Sequence, residues 1–264
     1  MPIVNLDGNR IYYDIRGMGF PLVLIHHLAG NTKSWRNQIP YFSKKFRVIT
    51  YDLRGHGRSD DPKKPFTMQD LEDDLYLLLS KLDIEKCAIM GHSIGGMIAP
   101  LFASKHKTMV SALVIVAGAG KALSAERMAV YGKFREIAST QGMEALAEYR
   151  KSENQIPKRI ANDHALWAFF KQLYAETSVQ GYVRASEALD TMPDIIDELK
   201  HLDFPAISIV GDLDPVFMET MNVLAENAGV TLHVMHSCGH FMMIEAPDEF
   251  NATVSRFLNS YTLK

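Results

Sequence analysis

Cysteine is scarce: the chain has 264 residues and two of them, Cys87 and Cys238, are thiols. Two thiols cannot build a disulfide framework, and a reducing compartment suits them. Charge of one sign is lacking as well, because 28 basic side chains face 31 acidic ones for a net charge of −3. That balance counts against a nucleic-acid footprint or a polybasic membrane patch. Long hydrophobic runs are missing, since stretches such as Ala112 to Ala117 fall far short of the ~20 residues that cross a bilayer. The start, Met1-Pro2-Ile3-Val4-Asn5, shows no basic region followed by an apolar one, and the end carries no lipidation motif. There is no internal repeat, low-complexity tract or charge run. These absences predict a cytoplasmic globule with no membrane and no nucleic acid among its partners.

What is present is an ordinary core composition, 47% hydrophobic and 22% charged, and a length that suits one large α/β domain or two small ones. Asp7-Gly8-Asn9 favours the positive φ angles of a tight turn, so Ile3–Leu6 and Arg10–Arg16 read as a hairpin. Pro21–Ile25, Phe46–Tyr51, Cys87–Met90 and Ala112–Ala117 are continuous apolar runs, the signature of strands covered on both faces in a parallel sheet. Helices are expected between them at about 34–45, 67–82 and 94–105. The middle one alternates Asp70, Asp73 and Asp74 with Leu71, Leu75, Leu78 and Leu79 at helical spacing.

The strand–helix alternation stops after Gly120. From about 123 to 191 the pattern is helical and rich in aromatics and methionine. It returns to β at Ala206–Val210 and Val230–Met235, with a helix between them and a last one near 247–258. The fold class expected is α/β: a mostly parallel eight-stranded sheet flanked by helices, interrupted after the sixth strand. The expected division is a core of residues 1–120 and 192–264 and a helical cap, or lid, of residues 121–191. An insert that long is far beyond an ordinary connection.

The segment with the most chemistry is Gly91-His92-Ser93-Ile94-Gly95, placed where a buried strand ends and a helix begins. Gly-x-Ser-x-Gly there lifts a serine out of the sheet on a strained turn and sets its hydroxyl at a helix N-terminus, beside N–H groups that stabilise negative charge. The bland alternative is a serine that only caps the helix. A serine nucleophile needs a base, itself oriented by a carboxylate. Two later strands end in suitable turns: Gly211-Asp212-Leu213-Asp214-Pro215 offers two carboxylates, and Ser237-Cys238-Gly239-His240 offers the base. All fall at the C-terminal edge of the sheet, where open α/β sheets place their sites.

Together with His26-His27-Leu28-Ala29-Gly30 after the third strand and Asp52-Leu53-Arg54-Gly55-His56-Gly57-Arg58-Ser59 after the fourth, these motifs resemble the α/β-hydrolase superfamily over essentially the whole chain. The likeness is greatest to its capped esterase and enol-lactonase branch, which includes cofactor-free haloperoxidases and C–C bond hydrolases. The resemblance implies Ser93 as nucleophile, His240 as base and Asp214 as acid, with Asp212 as runner-up. It implies an oxyanion hole made by the backbone N–H groups of Leu28 and Ile94. One position departs from the family pattern: His27 stands where glycine is usual. A positive φ there would strain a histidine. His27 is also a candidate for a hydrogen bond to substrate, whereas His26 reads as a structural tie within the loop.

If the cap covers Ser93, its apolar side chains line the pocket. Met128, Tyr131, Trp167 and Phe170, with Tyr174, recur at helical spacing, although any one of them could simply pack the cap onto the core. Met218, Phe241, Met242 and Met243 lie close to the acid and base. Fourteen methionines point to a permissive apolar site. No arginine or lysine is assigned to a substrate carboxylate, which counts against a diacid enol-lactone.

The function expected is hydrolysis of small, largely apolar carboxylic esters or lactones through an acyl-serine, by a monomer or homodimer needing no cofactor and no metal. The alternatives are a ligand receptor of the same fold with vestigial turnover, or a C–C bond hydrolase or perhydrolase using the same triad. His26, His27, Asp52, His56 and His92 lack the spacing of a zinc site, and the elbow lacks a P-loop lysine. A serine rather than an aspartate at the elbow disfavours epoxide hydrolase and haloalkane dehalogenase chemistry.

Overall fold

A computed structural model describes residues 2–261. Eight strands form one sheet: β1 (Ile3–Leu6), β2 (Asn9–Arg16), β3 (Phe20–Ile25), β4 (Phe46–Tyr51), β5 (Cys87–His92), β6 (Val110–Val116), β7 (Ala206–Gly211) and β8 (Thr231–Met235). Their spatial order is β1-β2-β4-β3-β5-β6-β7-β8. The β1–β2 and β2–β4 pairings are antiparallel and every later pairing is parallel. The hairpin forms for the reason its sequence suggests: Leu6 pairs with Asn9, and Asp7 and Gly8 take φ of 47° and 89°, the two positive angles of a two-residue turn. Every residue of β5 is buried, because helices cover both faces, and each fully buried aliphatic side chain there contributes about 1.5–3 kcal/mol.

Twelve helices are present among the described residues. Those of the first half are α1 (Ile39–Phe42), α2 (Met68–Lys81) and α3 (Gly95–Lys105). A single helix expected at 34–45 is instead a 3-10 turn, Thr32–Trp35, followed by the four-residue α1. Pro40 explains the break, since its ring clashes with the carbonyl four residues earlier and it has no N–H to donate. In contrast, α2 starts where its sequence dictates. Thr67 accepts from the Asp70 N–H while the Asp70 carboxylate accepts from the Thr67 N–H, a reciprocal capping box.

Between β6 and β7 lie α4 (Ala125–Gln141), α5 (Met143–Ser152), α6 (Lys158–Asn162), α7 (His164–Ala175), α8 (Val179–Ala188) and the short α9 (Ile196–Leu199). No strand interrupts them. This helical segment is tied to the loop after β4 by backbone bonds from Gly57 N–H to the Glu176 carbonyl (2.9 Å) and from Ser178 N–H to the Gly55 carbonyl (3.0 Å). Gly181 lies flat on Gly55 there: a Cβ on Gly181 would come within 2.4 Å of the Gly55 backbone. The chain then closes with α10 (Pro215–Ala228), α11 (Met242–Glu245) and α12 (Pro247–Asn259).

Candidate active site

Because β3, β5, β7 and β8 run parallel, the loops that follow them emerge at one edge. They meet around a cavity of about 570 Å³ lined by His27, Leu28, Ser93, Asp214, His240 and Phe241, among others. Ser93 has a φ of 57°, a left-handed conformation that costs a non-glycine residue of order 1–3 kcal/mol and persists only where its surroundings enforce it. The flanking glycines do so. A Cβ on Gly91 would fall 1.9 Å from the Gly95 carbonyl oxygen, and one on Gly95 would fall 2.3 Å from that of Ile25. With no side chains at these two points, the turn from β5 into α3 closes tightly and Ser93 is carried to the cavity. Ile94 follows it, buried at the N-cap of α3.

Of the two carboxylates after β7, Asp214 faces His240, its Oδ2 accepting from His240 Nδ1 at 2.6 Å. It is buried, and its Oδ1 also caps α10 by accepting from the Phe217 N–H, with Pro215 at the first helical position. Burial would raise the Asp214 carboxyl, but the charge and hydrogen bond of His240 outweigh it and hold the group below its ordinary range. Asp212 is exposed and turned away; it meets His236 at 3.2 Å and the Cys238 N–H at 3.3 Å. Phe217, which the sequence did not single out, stacks on the His240 ring at 4.7 Å and 30°. On another side, His92 Nε2–H donates to the His240 carbonyl at 2.8 Å. The His240 ring is thus fixed by a carboxylate, an aromatic face and its own tethered backbone.

The loop after β3 is framed by imidazoles. His26 donates from Nδ1 to the His27 carbonyl (2.7 Å) and accepts the Leu53 N–H at Nε2 (2.9 Å). His27 donates from Nδ1 to the Leu28 carbonyl at 2.9 Å and accepts from the Ser34 hydroxyl at 3.2 Å. His56 accepts the Ala29 N–H at 3.3 Å. The left-handed residue of this loop is Ala29, with φ of 60°, and His27 is free of that strain. Burial lowers all three rings, His27 to about 3 and His56 to about 4, so they are neutral near pH 7. Among the described residues no cluster of His, Cys, Asp or Glu could hold a metal ion.

The expected pocket residues separate. His27, Tyr131 and Phe241 line the cavity, whereas Met128, Trp167, Phe170 and Met218 do not. Phe170 is fully buried one layer behind, edge-on to Phe241 at 4.9 Å and parallel to Trp167 at 6.0 Å. Met128 packs in the core, and Met218 is partly buried against it. These side chains sit on helices that pack on several sides, so a buried stripe need not be the stripe that meets the cavity. The wall is also less apolar than the methionine content suggests: Arg127, Arg150, Lys158 and Arg159 all reach it. The i, i+4 spacing of Arg127 and Tyr131 on α4 places both on one face, and that was the available signal.

Comparison with known proteins gives a consistent result. The profile of the alpha/beta hydrolase fold matches residues 21–247. 3-Oxoadipate enol-lactonase 2 of Acinetobacter baylyi is 26% identical over 246 residues, covering 91% of this chain and 89% of the relative. A soluble epoxide hydrolase of Corynebacterium sp. is 27% identical over 277 residues, with 96% and 94% coverage. A structure from work on the carboxylesterases of the thaumarchaeon Nitrososphaera gargenis superposes with a TM-score of 0.90 at 36% identity, covering 98% of both chains.

Proposed function

The chain belongs to the alpha/beta hydrolase fold family, and from that premise we propose that it is a serine hydrolase of small carboxylic esters or lactones. One observation carries the reading: buried Asp214 and half-buried His240, 2.6 Å apart, share their cavity with a serine held at left-handed φ. Asp214 occupies Nδ1 of His240, which leaves Nε2 as the ring nitrogen able to take the Ser93 proton as the hydroxyl attacks the carbonyl. The N–H groups of Leu28 and Ile94 receive the oxyanion. His240 then protonates the departing alkoxide, and water activated by the same ring releases the acid from Ser93. In a lactone the leaving group stays tethered, and the product is a single hydroxy acid. A carboxylate nucleophile, as epoxide opening would use, has no counterpart at position 93.

The helical segment 121–191 acts in this reading as a cap. Arg127 and Tyr131 of α4, Arg150 of α5 and Lys158 of α6 form the cavity wall opposite the sheet edge, so the segment shapes what reaches Ser93. The test is hydrolysis of a 4-nitrophenyl ester chain-length series beside a lactone panel, by wild type and Ser93→Ala. Ser93→Ala is expected to lower kcat by about 10³-fold or more with an unaltered circular dichroism spectrum. An unchanged rate would overturn the mechanism.

A further inference from the structure

Among the described residues the cationic side of the cavity wall has no ion-pair partner. Four basic side chains reach the cavity, and so do two carboxylates, Asp214 and Glu245. Neither carboxylate is hydrogen-bonded to them. Asp214 is taken by His240. Glu245 accepts from the N–H groups of Gly239 and Phe241, at 3.0 Å in each case.

Arg127 and Arg150 are the most confined of the four, both only partly exposed, whereas Lys158 and Arg159 are exposed. Among the described residues no ion pair holds either guanidinium. Each is instead placed by an aromatic ring: Arg127 lies 5.1 Å from the centre of Tyr131, and Arg150 lies 5.1 Å from that of Phe134 and donates to the Tyr174 hydroxyl. The Nε of each is buried without a hydrogen-bond partner. Both charges are felt at the reacting centre, Arg127 by the Asp214 carboxyl and Arg150 by the His27 ring.

Apart from the Arg150–Tyr174 bond, the Nη groups of these two guanidiniums have no acceptor among the described residues, and two such unpaired charges in the wall of one cavity mark a place where an acceptor arrives from outside. The planar fork of arginine suits a carboxylate, which it can grip with two parallel bonds. We propose that the Ser93 site takes esters or lactones that carry a second, ionised carboxylate, and that Arg127 and Arg150 of the helical segment hold it. The proposal rests on the serine-hydrolase reading and names the substrate class that reading leaves open. The aromatic rings behind the guanidiniums hold their forks in place without neutralising them, so the attraction is kept for the incoming anion.

The experiment compares 4-nitrophenyl half-esters of glutaric, adipic and pimelic acid with the corresponding half-amides, which match them in shape and lack the charge. Uncatalysed hydrolysis is subtracted and Ser93→Ala run alongside. Wild type is expected to prefer the acid of at least one chain length by about tenfold or more in kcat/KM, and Arg150→Gln and Arg127→Gln should each cut that ratio by about tenfold. Arg150→Lys, which keeps the charge and loses the fork, should retain part of it. The ratio is the readout, because a merely structural role would lower both substrates together. Without any variant, adipate should inhibit hydrolysis of a neutral ester at concentrations where adipamide does not. Equal Ser93-dependent rates on acids and amides with no inhibition by adipate would overturn the proposal while leaving the serine mechanism standing. Absence of Ser93-dependent turnover on every ester would overturn both.

Discussion

Asp212 and Asp214 stand two positions apart, yet folding gives them opposite surroundings. Asp212 stays in water beside His236, whereas Asp214 is buried, caps α10 and grips Nδ1 of His240. The consequence is testable at each position. Asp214→Asn puts an amide where the imidazole needs an acceptor and favours the wrong tautomer, so kcat should fall on the order of 10³–10⁴-fold. Asp212→Asn removes a solvent-screened contact and should stay within roughly threefold; steady-state kinetics on one ester decides, and the reverse order would reassign the acid. At this scale the chain was legible wherever chemistry is tied to a turn. Ser93, His240 and the Asp212/Asp214 pair each follow an apolar run and sit among small residues, so local pattern singled them out as candidates. The pocket residues were not legible in the same way. Trp167 and Phe170 repeat at helical spacing, but spacing identifies a buried face without saying whether core, neighbouring helix or cavity covers it. His27 was a further ambiguity. Its loop needs one left-handed residue, and the backbone places that demand on Ala29 instead.

Elements formed where their end signals were local and failed to form where one residue forbade them. Asp7-Gly8 turned the hairpin and Thr67 with Asp70 opened α2, while Pro40 split the helix expected at 34–45 into a 3-10 turn and α1. How the helical segment seats on the sheet domain was not written in any motif. It depends on two glycines far apart in the chain, Gly55 and Gly181, whose backbones touch. A valine at 181 would drive its Cβ into Gly55 and force α8 away from the loop after β4. Gly181→Val is expected to destabilise by about 1–3 kcal/mol. For a chain of this size that lowers the melting temperature by roughly 2–4 °C per kcal/mol. A thermal melt indistinguishable from wild type would show that this contact does not seat the helices.

For the molecule as a whole, the buried imidazoles make stability depend on pH. Burial lowers His27 to about 3 and His56 to about 4, against 6.5 for an unperturbed ring. An unfolded chain therefore binds protons that the native state refuses. The stabilisation from keeping these rings neutral is complete above pH 6.5. It is lost as pH falls from there towards 4, by about 1.4 kcal/mol per pH unit for each ring. Urea unfolding at pH 7.5 and pH 5.0 should show the loss, and His56→Gln should flatten the slope; equal stability at both pH values would contradict it. The succession of strands along the chain and the helical interruption after β6 could be inferred before any coordinates, because burial on both faces and tight turns leave their mark in neighbouring residues. The seating of α8 on Gly55 and the gathering of Arg127 and Arg150 at the cavity came only with packing. Each depends on the distance between side chains that lie far apart along the chain, and no local pattern records that distance.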